Sequence, residues 1–145
     1  MQKEGFPVFQ NPSNNEIKDI LTSAKTIAVV GLSDNPLRES YAIASEMQKH
    51  GYKIVPVNPN VTEVLGEKAY ASVTGIPHPV DIINIFRKSE ALPAVVQDAV
   101  QTSAPVIWAQ QGVYNEEAAE IAQSAGKTMV MDRCIKVMHS LFANA

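Results

Sequence analysis

The chain has 145 residues, of which 46% are hydrophobic and 19% are charged, and its formal net charge is −3. This size and composition are typical of one globular domain with a substantial core, and they exclude an intrinsically disordered chain. The acidic balance argues against a nucleic-acid partner, and no apolar run approaches the ~20 residues that span a bilayer.

Residues 1–13 predict an irregular N-terminal lead-in to a single domain over residues 1–145, anchored by Phe6 and Phe9. The lead-in contains no apolar segment of the secretory type. Cys134 is the one cysteine, which excludes an internal disulfide and fits a reducing compartment. We therefore expect a cytoplasmic protein.

Strands and helices alternate along the chain. Ser13 and Glu16 have capping-box spacing at the start of the first helix, and Gly residues follow several helices as terminators. Strands are predicted at 27–30, 52–57, 80–86, 105–109 and 128–131, and helices at 14–25, 41–49, 89–102, 115–124 and 134–142, with a helical turn at 61–65. This alternation predicts an α/β, Rossmann-like three-layer domain with a five-stranded parallel sheet. Of the Rossmann and flavodoxin-like strand orders, 3-2-1-4-5 is favoured.

The first strand ends at Gly31, and a polar turn follows before the next helix begins. A glycine, a helix start and the positive charge of Arg38 together suit a phosphate group. The turn lacks the G-x-G-x-x-G pattern, and the second strand ends in Asn58–Pro59 where a nicotinamide-nucleotide enzyme places an acidic residue. The missing glycine pattern and the missing acidic residue argue against an ordinary dinucleotide site. Taken alone, Gly31 is as consistent with a simple turn as with a phosphate-binding turn.

The third strand ends in Phe86–Arg87–Lys88–Ser89, next to another helix start. The carboxyl ends of parallel strands meet at one edge of a sheet, so Arg38 falls on the same edge and adds a third cation. A polyphosphate nucleotide suits this cluster, with Phe86 or Tyr41 available for stacking. The alternative is that Arg87 and Lys88 are ordinary solvated surface charges.

The fifth strand ends in Asp132–Arg133–Cys134. A thiol at a helix N-terminus beside an arginine is a possible reactive group, although a partly buried Cys134 with Asp132 as helix cap is the simpler interpretation. His50, His78 and His139 lack the spacing of a metal site and are expected to be surface or capping residues.

Taken together and in order, five segments resemble the small bacterial CoA-binding proteins of a single Rossmann-like domain, and the N-terminal CoA-binding domain of the succinyl-CoA synthetase alpha subunit. The segments are VVGLSDNPLRESY, PVNPN, VDIINIFRKSE, IWAQQGVYNEEAA and VMDRCI. The resemblance implies a cofactor site for CoA or acyl-CoA at the ends of the first three strands. The residues implied are Gly31, Ser33, Asp34, Asn35, Pro36, Arg38 and Tyr41 after the first strand, Val57, Asn58 and Pro59 after the second, and Phe86, Arg87 and Ser89 after the third.

The synthetase has a lysine in its second turn where this chain has Asn58–Pro59–Asn60, so Arg38 and Arg87 are the candidate partners of the CoA phosphates. The phosphorylated histidine of the synthetase belongs to a further domain, and the ligase chemistry is therefore not implied. The leading hypothesis is a CoA-binding or acyl-CoA-binding module without evident catalysis. The alternatives are an enzyme, using either NAD(P) or Cys134 in acyl-CoA chemistry, and an interaction domain with a vestigial site. No protein partner is indicated.

Overall fold

The computed structural model describes residues 8–143 of the chain. Residues 1–7, which include the proposed anchor Phe6, lie outside the described part. The remainder of the lead-in has no regular secondary structure, as predicted, and Phe9 packs against the core. The side-chain amide of Asn11 exchanges two hydrogen bonds with the backbone of Met131, at 2.9 and 2.8 Å. The lead-in is therefore held against the last strand.

Seven strands occur in the described residues: β1 (Thr26–Val30), β2 (Lys53–Val57), β3 (Glu63–Val64), β4 (Glu67–Lys68), β5 (Ile82–Ile85), β6 (Val106–Ala109) and β7 (Thr128–Val130). Five of them form a parallel sheet in the order β2-β1-β5-β6-β7. The α/β prediction with a five-stranded parallel sheet is thus confirmed.

The favoured strand order, 3-2-1-4-5, is wrong. Counted over the main sheet alone the order is 2-1-3-4-5, because β5 pairs with β1 on the side opposite β2. All four residues of β5 are buried, as a central strand requires. The outer edge of β2 is instead covered by Tyr70, whose N–H donates to Pro56 O at 3.0 Å and whose carbonyl accepts from Asn58 N at 2.9 Å. The strand order therefore changes direction at β1, with β2 on one side of it and the later strands β5, β6 and β7 on the other. Open α/β sheets bind ligands at such a switch point, beside the carboxyl ends of the strands.

The helices cover both faces of this sheet: α1 (Asn14–Ser23), α2 (Glu39–Lys49), α3 (Leu92–Ala99), α4 (Glu116–Ser124) and α5 (Ile135–Met138). One core layer joins α1, α2 and α5 to the sheet, and the other joins α3 and α4 to it. A 3₁₀ turn, Ser89–Ala91, precedes α3, and a π-helical turn, His139–Ala143, follows α5. The predicted caps Ser13 and Asn115 both accept hydrogen bonds from their first helical turns. No helix in the described part of the chain is long and apolar enough to cross a membrane.

The helical turn predicted at 61–65 is wrong, because β3 and β4 form an antiparallel hairpin there. Leu65 and Gly66 occupy the turn with φ values of +55° and +77°. Two successive positive φ values define the type I′ turn that matches the twist of a two-stranded hairpin. Glycine adopts such a φ value without strain, so Gly66 allows the hairpin turn that directly follows residues 61–65.

Candidate functional site

Gly31 lies at the end of β1, where the backbone of β1 comes very close to that of β5. Its φ of +84° is in the left-handed region, and a Cβ at this position would overlap the carbonyl oxygen of Phe86. The Gly31 N–H donates to Val57 O at 2.8 Å, which joins the same turn to β2. Only glycine combines this conformation with this close approach. Gly31 therefore brings the ends of β1, β2 and β5 together.

Side-chain hydrogen bonds hold the backbone of the loop from Ser33 to Arg38. Asn35 N–H donates to Ser33 Oγ at 3.0 Å, and Leu37 N–H donates to Asn35 Oδ1 at 3.0 Å. Ser33 N–H donates to the hydroxyl of Ser40, a buried residue in the first turn of α2. These polar side chains fix the shape of the loop, and Leu37 at its tip is 92% exposed.

The N-terminus of α2 carries no side-chain cap. Arg38 occupies the N-cap position and makes no capping hydrogen bond. The N–H groups of a first helical turn have no partner within the helix and, with the helix dipole, favour an anion. The guanidinium of Arg38 adds a full positive charge at the same point. The start of α2 can therefore hold a phosphate group.

Asn58, at the end of β2, holds two loops together. Its Nδ2 donates to Leu32 O at 3.0 Å, and its Oδ1 accepts from Asn60 N–H at 2.9 Å. Both polar atoms of the side chain are thus used within the protein. Asn58 therefore shapes the site by joining its loops, with both polar side-chain atoms already hydrogen-bonded within the protein.

A cleft of about 420 Å³, which we call the larger cleft, opens between the ends of β2 and β5. Its apolar wall includes Val57, Val73 and Val95, and its polar groups include Arg87 and Asp98. Six of the predicted binding residues line it: Gly31, Val57, Asn58, Pro59, Phe86 and Arg87. A pocket that combines an apolar wall with polar groups can hold a flat organic ring together with polar substituents.

A second opening of about 390 Å³, the smaller cleft, lies on the other side of Arg87, toward β6. Phe86 and Arg87 line both clefts, so the two are neighbours across the end of β5. Glu39 at the start of α2 forms part of the smaller cleft, as does Gln110 at the end of β6. An elongated ligand can therefore cross the end of β5 from one cleft to the other.

Gln110 is only 2% exposed, and its side-chain Nε2 has no hydrogen-bond partner within the described residues. Its Oε1 accepts from Asn84 Nδ2 at 3.3 Å and from Ile135 N–H at 3.4 Å. A buried donor without a partner is costly and calls for an explanation. In a residue that lines a cleft, a ligand acceptor is one such explanation.

The hydroxyl and the backbone carbonyl of Ser89 both form hydrogen bonds within the protein. Its hydroxyl accepts from Tyr114 N–H at 3.0 Å and lies 3.4 Å from Gly112 O, and its carbonyl accepts from Asn115 Nδ2 at 3.3 Å. Burial, reinforced by the carboxylate of Glu116, raises the pKa of Tyr114 above its ordinary value. Ser89 thus joins the loops after β5 and β6 and shapes the smaller cleft from outside.

Three cations lie around these clefts without acidic partners. Within residues 8–143 no ion pair engages Arg38, Arg87 or Lys88, and all three side chains are exposed. Cations that are not neutralised by the protein itself remain available to an anion. The cations predicted from the sequence therefore fall on one edge of the sheet with their charges free.

The structure does not bring every predicted residue into a cleft. Ser33, Asp34, Asn35, Pro36, Arg38, Tyr41 and Ser89 line neither of the two clefts, and Tyr41 packs against the core. Ser72 and Asp98 line the larger cleft and were not predicted, whereas Asn60 and Gln110, which also line the clefts, belong to segments predicted to lie on the ligand edge but are not among the predicted binding residues. Gln110 carried a usable signal, because a polar residue directly after a buried strand end falls on the ligand edge. Asp98 carried none, because it lies well along α3.

The residues after β7 agree with the prediction for Cys134, which is partly buried, and differ from it for Asp132. Asp132 does not cap α5: it has a φ of +58°, and its carboxylate accepts from Gly112 N–H at 2.7 Å. Cys134 occupies the N-cap position without a side-chain capping bond, is half-buried, and packs against the core beside α5. It lines neither cleft.

His139 is buried at 7% exposure, so the prediction of a surface or capping position is wrong for this residue. Its ring stacks on that of His50 with centroids 4.3 Å apart, and it meets the edge of Tyr52 at 5.7 Å. Burial, together with the charge that His50 can carry, lowers the pKa of His139, while Glu46 acts in the opposite direction. Glu46 contacts His50 directly, Oε2 to Nε2, at 3.2 Å.

Burial also raises the pKa of Tyr52, whose hydroxyl donates to Leu21 O.

Comparison with known proteins identifies the family. The model of the CoA binding domain matches residues 25–140, and the chain therefore belongs to the CoA-binding domain family. It is homologous to the CoA-binding region in the alpha subunit of ADP-forming acetate–CoA ligases, which belongs to the same family as the succinyl-CoA synthetase alpha subunit. The resemblance inferred from the sequence is confirmed.

Three relatives show how far the similarity extends. The uncharacterized protein YneT of Bacillus subtilis is 53% identical over 91% of this chain and 98% of its own length. The alpha subunit of acetate–CoA ligase (ADP-forming) II of Pyrococcus furiosus is 28% identical over 84% of this chain, but the match spans only 29% of that subunit. A hypothetical protein of Pyrococcus horikoshii has the same fold, with a TM-score of 0.89 and 34% identity over 98% of this chain and all of that one.

Proposed function

We propose that this protein binds CoA or an acyl-CoA across the carboxyl edge of its sheet, without catalysing a reaction on its own. The observation that carries the proposal is the arrangement of two clefts on either side of Arg87, beside the uncapped start of α2. CoA has a matching division into a nucleotide, a diphosphate and a pantetheine arm. Membership of the CoA-binding domain family supports the same assignment.

The larger cleft receives the nucleotide. The adenine ring packs against the apolar wall formed by Val57, Val73 and Val95. The guanidinium of Arg87 borders this cleft and pairs with a phosphate, since its planar fork suits phosphate oxygens.

The diphosphate lies over Gly31, at the N-terminus of α2. Gly31 lines the larger cleft at this point, and the free N–H groups of the first turn of α2 face the anion. Arg38 supplies the balancing charge. The internally bonded loop of residues 33–38 keeps these groups in place before the ligand arrives, which reduces the entropy lost on binding.

The pantetheine arm enters the smaller cleft. Its amide carbonyl groups are acceptors, and the buried Nε2 of Gln110 is a donor without a partner among residues 8–143. A hydrogen bond between them removes the cost of the unpaired donor and fixes the direction of the arm.

The ligase relatives support a binding role for this chain. The match spans 29% of the Pyrococcus furiosus alpha subunit, so the activity of that whole subunit is not assigned to this chain. Neither cleft contains a cysteine or a histidine that could act as a nucleophile. We assign this chain the part of the fold that holds CoA.

A thermal-shift comparison tests the proposed function. The purified protein is heated with CoA, acetyl-CoA, NAD, NADP or ATP, each in excess, because a ligand that binds only the folded state raises the Tm. We expect CoA and acetyl-CoA to raise the Tm by several degrees more than the other nucleotides. Stabilisation by NAD and not by CoA would overturn the proposal. No stabilisation by any of the five would favour an interaction domain with a vestigial site.

A further inference from the structure

Asn84 is a polar residue at the centre of an otherwise apolar strand. Its neighbours in β5, Ile82, Ile83 and Ile85, are fully buried, and Asn84 itself is 1% exposed. Burying a side-chain amide in a central strand costs free energy unless its hydrogen bonds are satisfied, and even then the net gain is small. An aliphatic residue would fill this position at lower cost, so packing alone does not explain the asparagine.

The hydrogen bonds of Asn84 determine its orientation. Its Nδ2 donates to the carbonyl of Trp108, the residue opposite it in β6, at 3.2 Å. A carbonyl can only accept, which fixes the amide nitrogen of Asn84 toward β6. The same Nδ2 also donates to Gln110 Oε1 at 3.3 Å, so it uses both of its hydrogens.

The orientation of Gln110 follows from these contacts. Its Oε1 faces two groups that only donate here, Asn84 Nδ2 and the backbone N–H of Ile135. The opposite orientation would place donors against donors. Gln110 therefore keeps its buried Nε2 on the side where residues 8–143 offer no partner, and Gln110 itself lines the smaller cleft.

We propose that Asn84 is a positioning residue for ligand binding: it holds the Gln110 amide so that Nε2 is presented to an acceptor on the pantetheine arm. This inference rests on the proposed function. It assigns the buried amide pair to ligand binding. Asn84→Leu removes one donor to Gln110 Oε1, which keeps the Ile135 N–H as a partner, so the unliganded variant should still fold, with a modest loss of stability.

The test measures two affinities by calorimetry, for CoA and for adenosine 3′,5′-bisphosphate, which lacks the pantetheine arm and the second phosphate of the diphosphate. We expect the CoA affinity of Asn84→Leu to fall about five- to tenfold, the size of one lost hydrogen bond, with the bisphosphate affinity unchanged. Gln110→Met removes the donor directly and should produce the same pattern. The double variant should lose no more than Gln110→Met alone, because Asn84 acts through Gln110.

Ile83→Val is the matched control on the same strand. It removes one buried methylene from the opposite face of the sheet, and it should lower the Tm slightly without changing the ratio of the two affinities.

Equal losses for both ligands in Asn84→Leu, additive losses in the double variant, or an unchanged CoA affinity would each overturn the inference. If the unsubstituted protein binds neither ligand, the proposed function itself is wrong. Equal affinity of the unsubstituted protein for both ligands would refute a role for Gln110 while retaining the nucleotide site.

Discussion

The carbonyl of Phe86 occupies the space that a side chain on Gly31 would need. The carbonyl carbon of Phe86 is 3.3 Å from the position of such a Cβ, and Arg87 Cδ is 3.6 Å from it. The two residues end neighbouring strands, β1 and β5, at the point where the chain changes direction across the sheet. This contact is therefore both a feature of packing and the centre of the proposed binding edge.

Gly31→Ala should destabilise the protein by about 2–4 kcal/mol, because it combines a left-handed backbone with an overlap against backbone atoms. Chemical denaturation of the unliganded variant measures this loss. Gly126→Ala is the control, since Gly126 has a similar φ of +78° but open space around its Cβ position. It should cost only about 1 kcal/mol. Equal costs at the two positions would show that the contact with Phe86 contributes nothing.

The sequence predicted those parts of the fold and the site that depend on local pattern. Gly31 and Arg87 were found because each directly follows an apolar strand, and Asn115 because a cap is recognised from its neighbours. The strand order was not predictable in this way, since it depends on which strand covers which edge. The pair of Asn84 and Gln110 was missed for a related reason: the residues are 26 positions apart and meet only because β5 lies beside β6.

Titration of the buried His139 ring is expected to make the stability of the fold depend on pH. Burial and His50 lower the pKa of His139 in the folded protein below its ordinary value of 6.5, whereas the unfolded chain keeps that value. Below pH 6.5 the unfolded state therefore binds more protons than the folded state, and stability falls as the pH decreases. We expect the Tm to drop between pH 7.5 and pH 5.5.

His139→Phe should reduce this drop, because phenylalanine retains the stacking on His50 but does not titrate. His78→Phe, which alters a histidine outside this cluster, should leave the drop as it is in the unsubstituted protein. If the Tm of His139→Phe fell as steeply with acid as that of the parent, the buried ring would not be the source of the pH dependence.

Cys134 should take no part in acyl-CoA chemistry. It lines neither cleft and packs against the core beside α5. Incubation with acetyl-CoA, followed by intact-protein mass spectrometry, should show no acetyl group transferred to the thiol. Cys134→Ser should bind CoA as tightly as the parent protein. An acetylated parent together with an unmodified Cys134→Ser variant would instead support the enzyme hypothesis.

The most direct test of the binding edge is the calorimetric Kd for CoA of Arg87→Ala compared with Arg133→Ala. Both variants lose one exposed arginine from the same edge of the sheet, but only Arg87 lines the two clefts. We predict a loss of about ten- to a hundredfold in CoA affinity for Arg87→Ala, the size of a lost charge-assisted contact, with the Tm of the unliganded protein nearly unchanged. Arg133→Ala should bind CoA as the parent does. An unaltered affinity in Arg87→Ala, or an equal loss in both variants, would contradict a CoA site centred on Arg87.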